Sequence, residues 1–173
     1  MEKYEIIIHP NPFLRRKAKK VSVFDKDFQD LIEDMFVIMR EAPGVGLAAP
    51  QIGVSQRVVV VEYADAEVEN AKPKAYVLVN PEIVYHSDDT TSDLEGCLSV
   101  PGFVGMVERW NEVTVKAQNR FGKNIKIKAD GWLARIFQHE MDHLDGVLYI
   151  DKATEVYEPS DKEIDDIEPE PEN

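Results

Sequence analysis

The stretch Gln138-His139-Glu140-Met141-Asp142-His143-Leu144-Asp145-Gly146 decides how this chain reads. Two histidines stand four residues apart, and a glutamate directly follows the first. On an α-helix four residues turn through roughly 400° and advance about 6 Å, so both imidazoles leave the same face. Imidazoles so placed can close on one metal ion, and Glu140 sits beside them as an acid or base. The alternative is a surface helix that carries these residues by accident. With four histidines in 173 residues, that happens on the order of one time in a hundred. A catalytic metal of this kind needs a third protein ligand and an open fourth position. The third ligand must come from elsewhere in the chain.

Around this stretch a helix is expected, with Asp130 as its N-cap and Gly146 at its C-terminal end. Trp132, Arg135, Ile136, His139 and His143 recur on one face at helical spacing. Trp132 and Ile136, with the aliphatic stem of Arg135, should line whatever cavity opens before the metal. They could equally pack an ordinary core, and both roles can hold at once. Beyond the helix, Val147 to Ile150 reads as a short final strand.

Upstream, Val113 to Lys128 reads as a hairpin with one wet face, turning at Phe121-Gly122-Lys123-Asn124. Met106 to Trp110 is a further strand. Glu95-Gly96-Cys97-Leu98-Ser99-Val100-Pro101-Gly102 holds the single cysteine of the chain. Cys97 has three readings: a small buried apolar residue, a nucleophile with a base nearby, or the missing thiolate ligand. His86 to Asp93 is polar and reads as a loop, with His86 facing solvent. Tyr76 to Pro81, Ile83 to Tyr85 and Val58 to Val61 read as strands, and Tyr63 to Ala75 as an exposed loop.

Gly44-Val45-Gly46-Leu47-Ala48-Ala49-Pro50-Gln51-Ile52-Gly53 is small, apolar and flanked by glycines. No Lys-Ser/Thr follows, which excludes a phosphate loop. The segment is either a tight helix-to-strand connection or a substrate-lining wall with Gln51 as its polar group. Before it, residues 25–41 carry Phe28, Leu31, Ile32, Met35, Phe36 and Met39 on one helical face, behind Asp25 as N-cap. His9, between an apolar run and two prolines, is a turn residue.

Composition bounds the rest. Hydrophobic residues make up 43% of the 173, enough for one domain with a buried core. The net charge is −13, which argues against a nucleic-acid-binding surface. From Glu155 onward nine acids face one lysine, so the first 154 residues carry only −5 of that total. The expected organisation is one catalytic domain over residues 1–154 and an acidic tail over 155–173, disordered toward its end. No apolar run is long enough to span a bilayer, no signal peptide is visible, and one cysteine fits a reducing compartment. A cytoplasmic protein that binds neither membrane nor DNA is expected.

Three segments together resemble the peptide deformylases, enzymes that remove the formyl group from the N-terminal methionine of new bacterial chains. They are Gly44 to Gln51, Glu95 to Ser99 and Gln138 to Gly146, in the family's order and spacing, and the resemblance runs over about residues 4–152. It implies an α+β fold, with antiparallel β-sheets packed around a central metal-binding helix. It makes Cys97, His139 and His143 the metal ligands and Glu140 the acid/base. It makes Gln51 and the backbone N–H of Leu98 donors to the developing oxyanion. It implies one divalent ion, typically Fe²⁺, with Zn²⁺, Ni²⁺ or Co²⁺ able to replace it. The methionine side chain would sit against Val45, Trp132, Ile136 and part of Arg135, and the Gly44 to Gly46 backbone could pair with an extended substrate. The implied partners are nascent formyl-methionyl polypeptides met by a monomeric enzyme, with transient ribosome contact. Some members dock on the ribosome through a basic terminal helix. The acidic tail here would be repelled by RNA phosphate, so docking is not expected through that end.

Two rivals stand beside this reading. His-Glu-x-x-His also marks metallopeptidases, but those use a Glu or His as third ligand, which the cysteine segment does not supply. A binding module with a structural metal predicts four closed ligands, and the sequence offers three strong ones.

Overall fold

Val58, Val59, Val60 and Val61 are all fully buried, and successive side chains enter two different cores. A strand points alternate residues to opposite faces, so a run of four buried valines requires cover on both sides. Here two helices supply it. The computed structural model describes residues 4–65 and 70–160. Its element order is α1 (Lys26–Glu41), β1 (Gly46–Ala48), β2 (Val58–Tyr63), β3 (Lys74–His86), β4 (Thr90–Glu95), β5 (Val104–Trp110), β6 (Glu112–Gln118), β7 (Asn124–Asp130), α2 (Gly131–Leu144) and β8 (Val156–Tyr157).

Strands β1-β2-β3-β6-β7, in that order, form a five-stranded antiparallel sheet. On one face Val59 and Val61 pack with Ala134, Ile136, Phe137, Met141 and Leu144 of α2. On the other, Val58 and Val60 pack with Phe28, Leu31, Ile32, Met35, Phe36 and Met39 of α1. Those six residues are the expected apolar face, and the Asp25 carboxylate accepts the Phe28 N–H as its cap. A second sheet, β4-β5-β8, covers a smaller core of Leu14, Val100, Val107, Leu148 and Tyr149. This is the expected α+β architecture of antiparallel sheets around a central helix.

The structure departs from the sequence reading at four places. The two expected strands around Asn80-Pro81 are one strand, β3, with a register shift between Val79 and Glu82. Proline cannot donate to a ladder and is tolerated at such a bulge, and the Asn80 amide ties the bend to Val21 and Gln118. Thr90 to Asp93, read as loop, belong to β4, paired with β5. Its polar sequence reflects an exposed face and not a lack of structure. Val147 to Ile150 is no strand: Tyr149–Asp151 form a 3-10 turn, and Leu148 and Tyr149 are apolar because they fill the third core. Asp130 holds the N-cap position of α2, yet its side chain makes no capping hydrogen bond.

After the 3-10 turn the chain runs back along β5. Val156 and Tyr157 pair with Gly105 and Val104. A side chain at Gly105 would strike Ala153 and the Glu155 carbonyl, so glycine is what lets this return strand pack. The expected disorder at the end of the tail falls on residues 161–173, outside the described residues. No described helix is long and apolar enough to cross a membrane.

Candidate metal centre and its cavity

The four-residue spacing in α2 sets the His139 and His143 rings edge to face, with centroids 5.2 Å apart. The turn after β4 brings Cys97 to them. The ligand atoms of Cys97, His139 and His143 all lie within 4.8 Å of one another, and Cys97 Sγ is 3.4 Å from His143 Nε2. Of the three readings of the cysteine, the geometry agrees with the thiolate ligand. Among the described residues the group has three donors and no fourth.

Glu95, the residue that closes β4, organises the back of this cluster. It accepts His139 Nδ1–H at 2.8 Å, which turns His139 Nε2 toward Cys97. It also accepts Arg109 Nε and Nη2 at 2.8 and 2.9 Å, and Arg135 Nη1 at 2.8 Å. Arg109 Nη1 continues to Asp142 at 2.6 Å, and Lys152 Nζ reaches the same carboxylate at 2.9 Å. Glu95, Arg109 and Arg135 are all buried. Burial alone would raise the Glu95 pKa, but the Arg109 and His139 hydrogen bonds outweigh it and hold the carboxyl below the usual range. Burial also opposes charge on both histidines. On His139 the Cys97 and Glu95 hydrogen bonds reverse this and push its pKa well up. On His143 burial and the neighbouring His139 act together and push it well down, leaving a neutral imidazole.

Glu140 is buried on the cavity side, and its Oε2 has no hydrogen-bond partner among the described residues. Burial pushes its pKa up to about 7, with His139 pulling the other way. A cation held by the three neighbours would draw it down again. The carboxylate lies directly over Gly46 of β1: a Cβ there would be 2.5 Å from Glu140 Oε1. The glycine at this position is therefore the space that the acid occupies.

Gln51 sits in the 3-10 turn after β1 and is buried. Its Oε1 accepts the Ala48 N–H at 2.8 Å, which fixes the amide orientation. Its Nε2 then points at Ser99 Oγ, 3.2 Å, and Cys97 Sγ, 3.6 Å. The Leu98 N–H makes no hydrogen bond among the described residues. The Gln51 amide nitrogen thus lies beside Cys97, and Leu98 lines the same cavity.

Gln51, Glu95, Cys97, Leu98, His139 and Glu140 open on one cavity of about 650 Å³. Of the sequence-predicted residues, Gly44, Val45, Gly46, Gln51, Cys97, Leu98, Trp132, Arg135, Ile136, His139 and Glu140 line it, and His143 is buried behind Cys97. The Arg135 head is committed to Glu95, Val107 O and Thr91 O, so its stem is what faces the cavity, as expected. Its guanidinium also lies 5.8 Å from the Trp132 ring centre, under an otherwise half-exposed indole. β1 is the free edge of the large sheet. Ala48 N–H points away from β2, toward Gln51, and by the two-residue alternation of a strand the Gly46 N–H and C=O share that open side.

Sequence reasoning missed Glu95, Arg109, Ser99 and Tyr149. Tyr149 stacks its ring 6.1 Å from His139 and donates its hydroxyl to Phe103 O. Glu95 and Ser99 lay inside a quoted motif without a role. Arg109 stands in a strand beside Glu108, and nothing in the sequence marks it as buried.

A thiol, two imidazoles and an adjacent acid, at the end of a cavity beside a free strand edge, define a candidate mononuclear metal centre. The donors fit a divalent late first-row cation: one soft sulfur, two nitrogens, three ligands and open positions on the cavity side. The polypeptide deformylase family model matches residues 3–158. The chain is 49% identical to a peptide deformylase of Natranaerobius thermophilus, covering 88% of this chain and 94% of that protein. Its fold matches the crystal structure of a peptide deformylase from Legionella pneumophila with a TM-score of 0.78, at 47% identity over 87% of this chain and 85% of that one. It also matches one from Synechococcus elongatus in complex with actinonin, with a TM-score of 0.81, at 37% identity over 90% and 81% of the two chains. The chain belongs to the polypeptide deformylase family.

Proposed function

We infer that this chain is a metal-dependent hydrolase that removes the formyl group from the N-terminal formyl-methionine of newly made polypeptides and releases formate. The observation that carries the reading is the convergence of Cys97, His139 and His143 within 4.8 Å, with Glu140 beside them on a cavity that opens along β1. We assign Cys97, His139 and His143 as ligands of one divalent ion, Fe²⁺ by family resemblance, with Zn²⁺, Ni²⁺ and Co²⁺ suited to the same donors. Such an ion supplies Lewis-acid chemistry: it acidifies water toward neutrality and polarises the formyl oxygen.

The chain's own residues do the rest. An extended formyl-methionyl peptide pairs with the open edge of β1, as an added strand beside Gly44, Val45 and Gly46. That places the formyl group at Glu140. Glu140 takes a proton from the attacking water and returns it to the leaving amine. Negative charge gathers on the formyl oxygen, where the Gln51 amide and the Leu98 N–H meet it, each such donor lowering the barrier by about 3 kcal/mol. The methionine side chain lies against Val45, Trp132, Ile136 and the Arg135 stem. We read the enzyme as a cytoplasmic monomer, in keeping with nascent chains as its substrates.

The test is formate release from a formyl-methionyl tripeptide, using protein purified without oxygen and assayed for metal. Formate with about one metal per chain supports the reading. No formate from fully metallated protein, with amino acid released from the unformylated peptide instead, would replace it with a peptidase. For the pocket, Trp132→Ala should raise KM for formyl-methionyl peptides about tenfold with kcat little changed, because truncation removes apolar contact worth 1–3 kcal/mol. Unchanged kinetics would remove Trp132 from the pocket.

A further inference from the structure

The whole-chain charge hides a local reversal. Residues 116–128 contain Lys116, Arg120, Lys123, Lys126 and Lys128 and no acid, a net +5 in a chain of net −13. They form the β6–β7 hairpin, and the four lysines are exposed. Lys116 stands directly opposite Lys126, and Lys128 is opposite Thr114 on the same outer face. None of the four lysines makes an ion pair among the described residues. Phe121 at the turn is 73% exposed, with the Arg120 guanidinium 5.9 Å from its ring centre.

Edge protection explains only part of this. β7 is an edge strand, and lysines on an edge block unwanted strand pairing. Lys116, however, is on β6, one strand inside. Like charges directly across a ladder destabilise it, and of the two cross-strand neighbours of Lys116 one is Lys126 and the other Glu82, so one acid faces two lysines. The acids nearby are few: Glu82 opposite Lys116 on β3, Glu112 and Asp130 at the far end of the hairpin, and Glu33, already paired with Arg120.

We propose that this face binds the sugar–phosphate backbone of RNA, with Phe121 stacking on an unpaired base at the turn. Closely spaced lysines track phosphates, and an exposed aromatic at the end of such a row is a stacking platform. At physiological salt the acids elsewhere on the chain are screened beyond about 8 Å, so the local charge governs contact. The binding does not depend on the deformylase reading. Its use does: a hydrolase that meets polypeptides as they are made works beside RNA.

The test measures anisotropy of a labelled, mixed-sequence single-stranded RNA of about twelve nucleotides, titrated with the full chain at several salt concentrations. Wild type should bind at low salt, with a slope of log K against log salt of about −3, set by four or five phosphates. The triple variant Lys116→Gln, Lys126→Gln, Lys128→Gln should lose at least tenfold in affinity and flatten the slope by about 2. Its formate release from a short formyl-methionyl peptide should equal wild type. Equal RNA binding by wild type and variant would overturn the proposal. So would no RNA binding by wild type, including the case where the lysines bind phosphatidylserine vesicles instead. RNA binding lost with the lysines in a protein that releases no formate would uphold this inference and sink the reading of the active site.

Discussion

Replacing Glu140 by Gln should lower kcat for formate release by roughly 10²–10⁴, the usual contribution of a positioned acid/base. Gln is nearly isosteric and cannot carry the proton, while Cys97, His139 and His143 keep their places, so metal content should be unchanged. The same substitution should stabilise metal-stripped protein. The Glu140 pKa is raised by burial from 4.5 to about 7. Between those values the unfolded chain is ionised and the folded one holds its proton, so stability falls as pH rises through that window. Above it the penalty levels at about 3 kcal/mol. Stripped Glu140→Gln should therefore outlast stripped wild type at about pH 8 and match it near pH 4. Denaturant melts at both pH values check this, and equal stability at the higher pH would mean that Glu140 is not held in an unfavourable setting. An acid kept in a site that resists its charge thus lowers the stability of the metal-free protein.

Removal of Glu95 should be the most damaging single change to the fold around the site. Glu95→Ala leaves Arg109 and Arg135 buried with their shared partner gone, and breaking a buried charge network in this way costs about 3–5 kcal/mol. For a chain of 173 residues that amounts to about 10 °C or more in Tm. His139 also loses the acceptor that sets its tautomer, so metal affinity should fall roughly 10–100-fold. Thermal unfolding and metal competition against a chelator measure the two effects. The pH dependence has the opposite sign to that of Glu140. The Glu95 carboxyl is held below its ordinary 4.5, so its contribution is present above that value and is lost as pH falls through the lower folded one. The gap between wild type and variant should therefore close only in acid. An unchanged Tm and unchanged metal affinity would reduce Glu95 to a bystander.

Much of this was legible in the sequence because its signals are local. The histidine spacing in α2, the six-residue apolar face of α1 and the doubly buried valines of β2 each follow from the repeat of one element. The proposed ligand set and oxyanion donors come from family resemblance, which joins segments that periodicity cannot. What stayed hidden depends on distant partners. Glu95 gains its role from residues 14, 40 and 44 positions away, and nothing next to it announces them. β4 was hidden because an exposed, polar strand has no apolar alternation to display. Leu148 and Tyr149 misled for the converse reason: a turn that plugs a core shows the same apolar run as a short strand. The net charge of −13 is an average over the chain, and the +5 of residues 116–128 does not show in it.

The closeness of Gly46 to Glu140 has a mechanical side. The outer edge of β1 is the rail on which the peptide would lie, and the surface of the same strand is the seat of the carboxylate, with no side chain between them. A two-state latch is not needed to link docking to chemistry. Any shift of this three-residue strand moves rail and seat together, so a peptide that aligns poorly with β1 also finds its base out of line, and selection of substrate and timing of proton transfer reduce to the fit of one short strand.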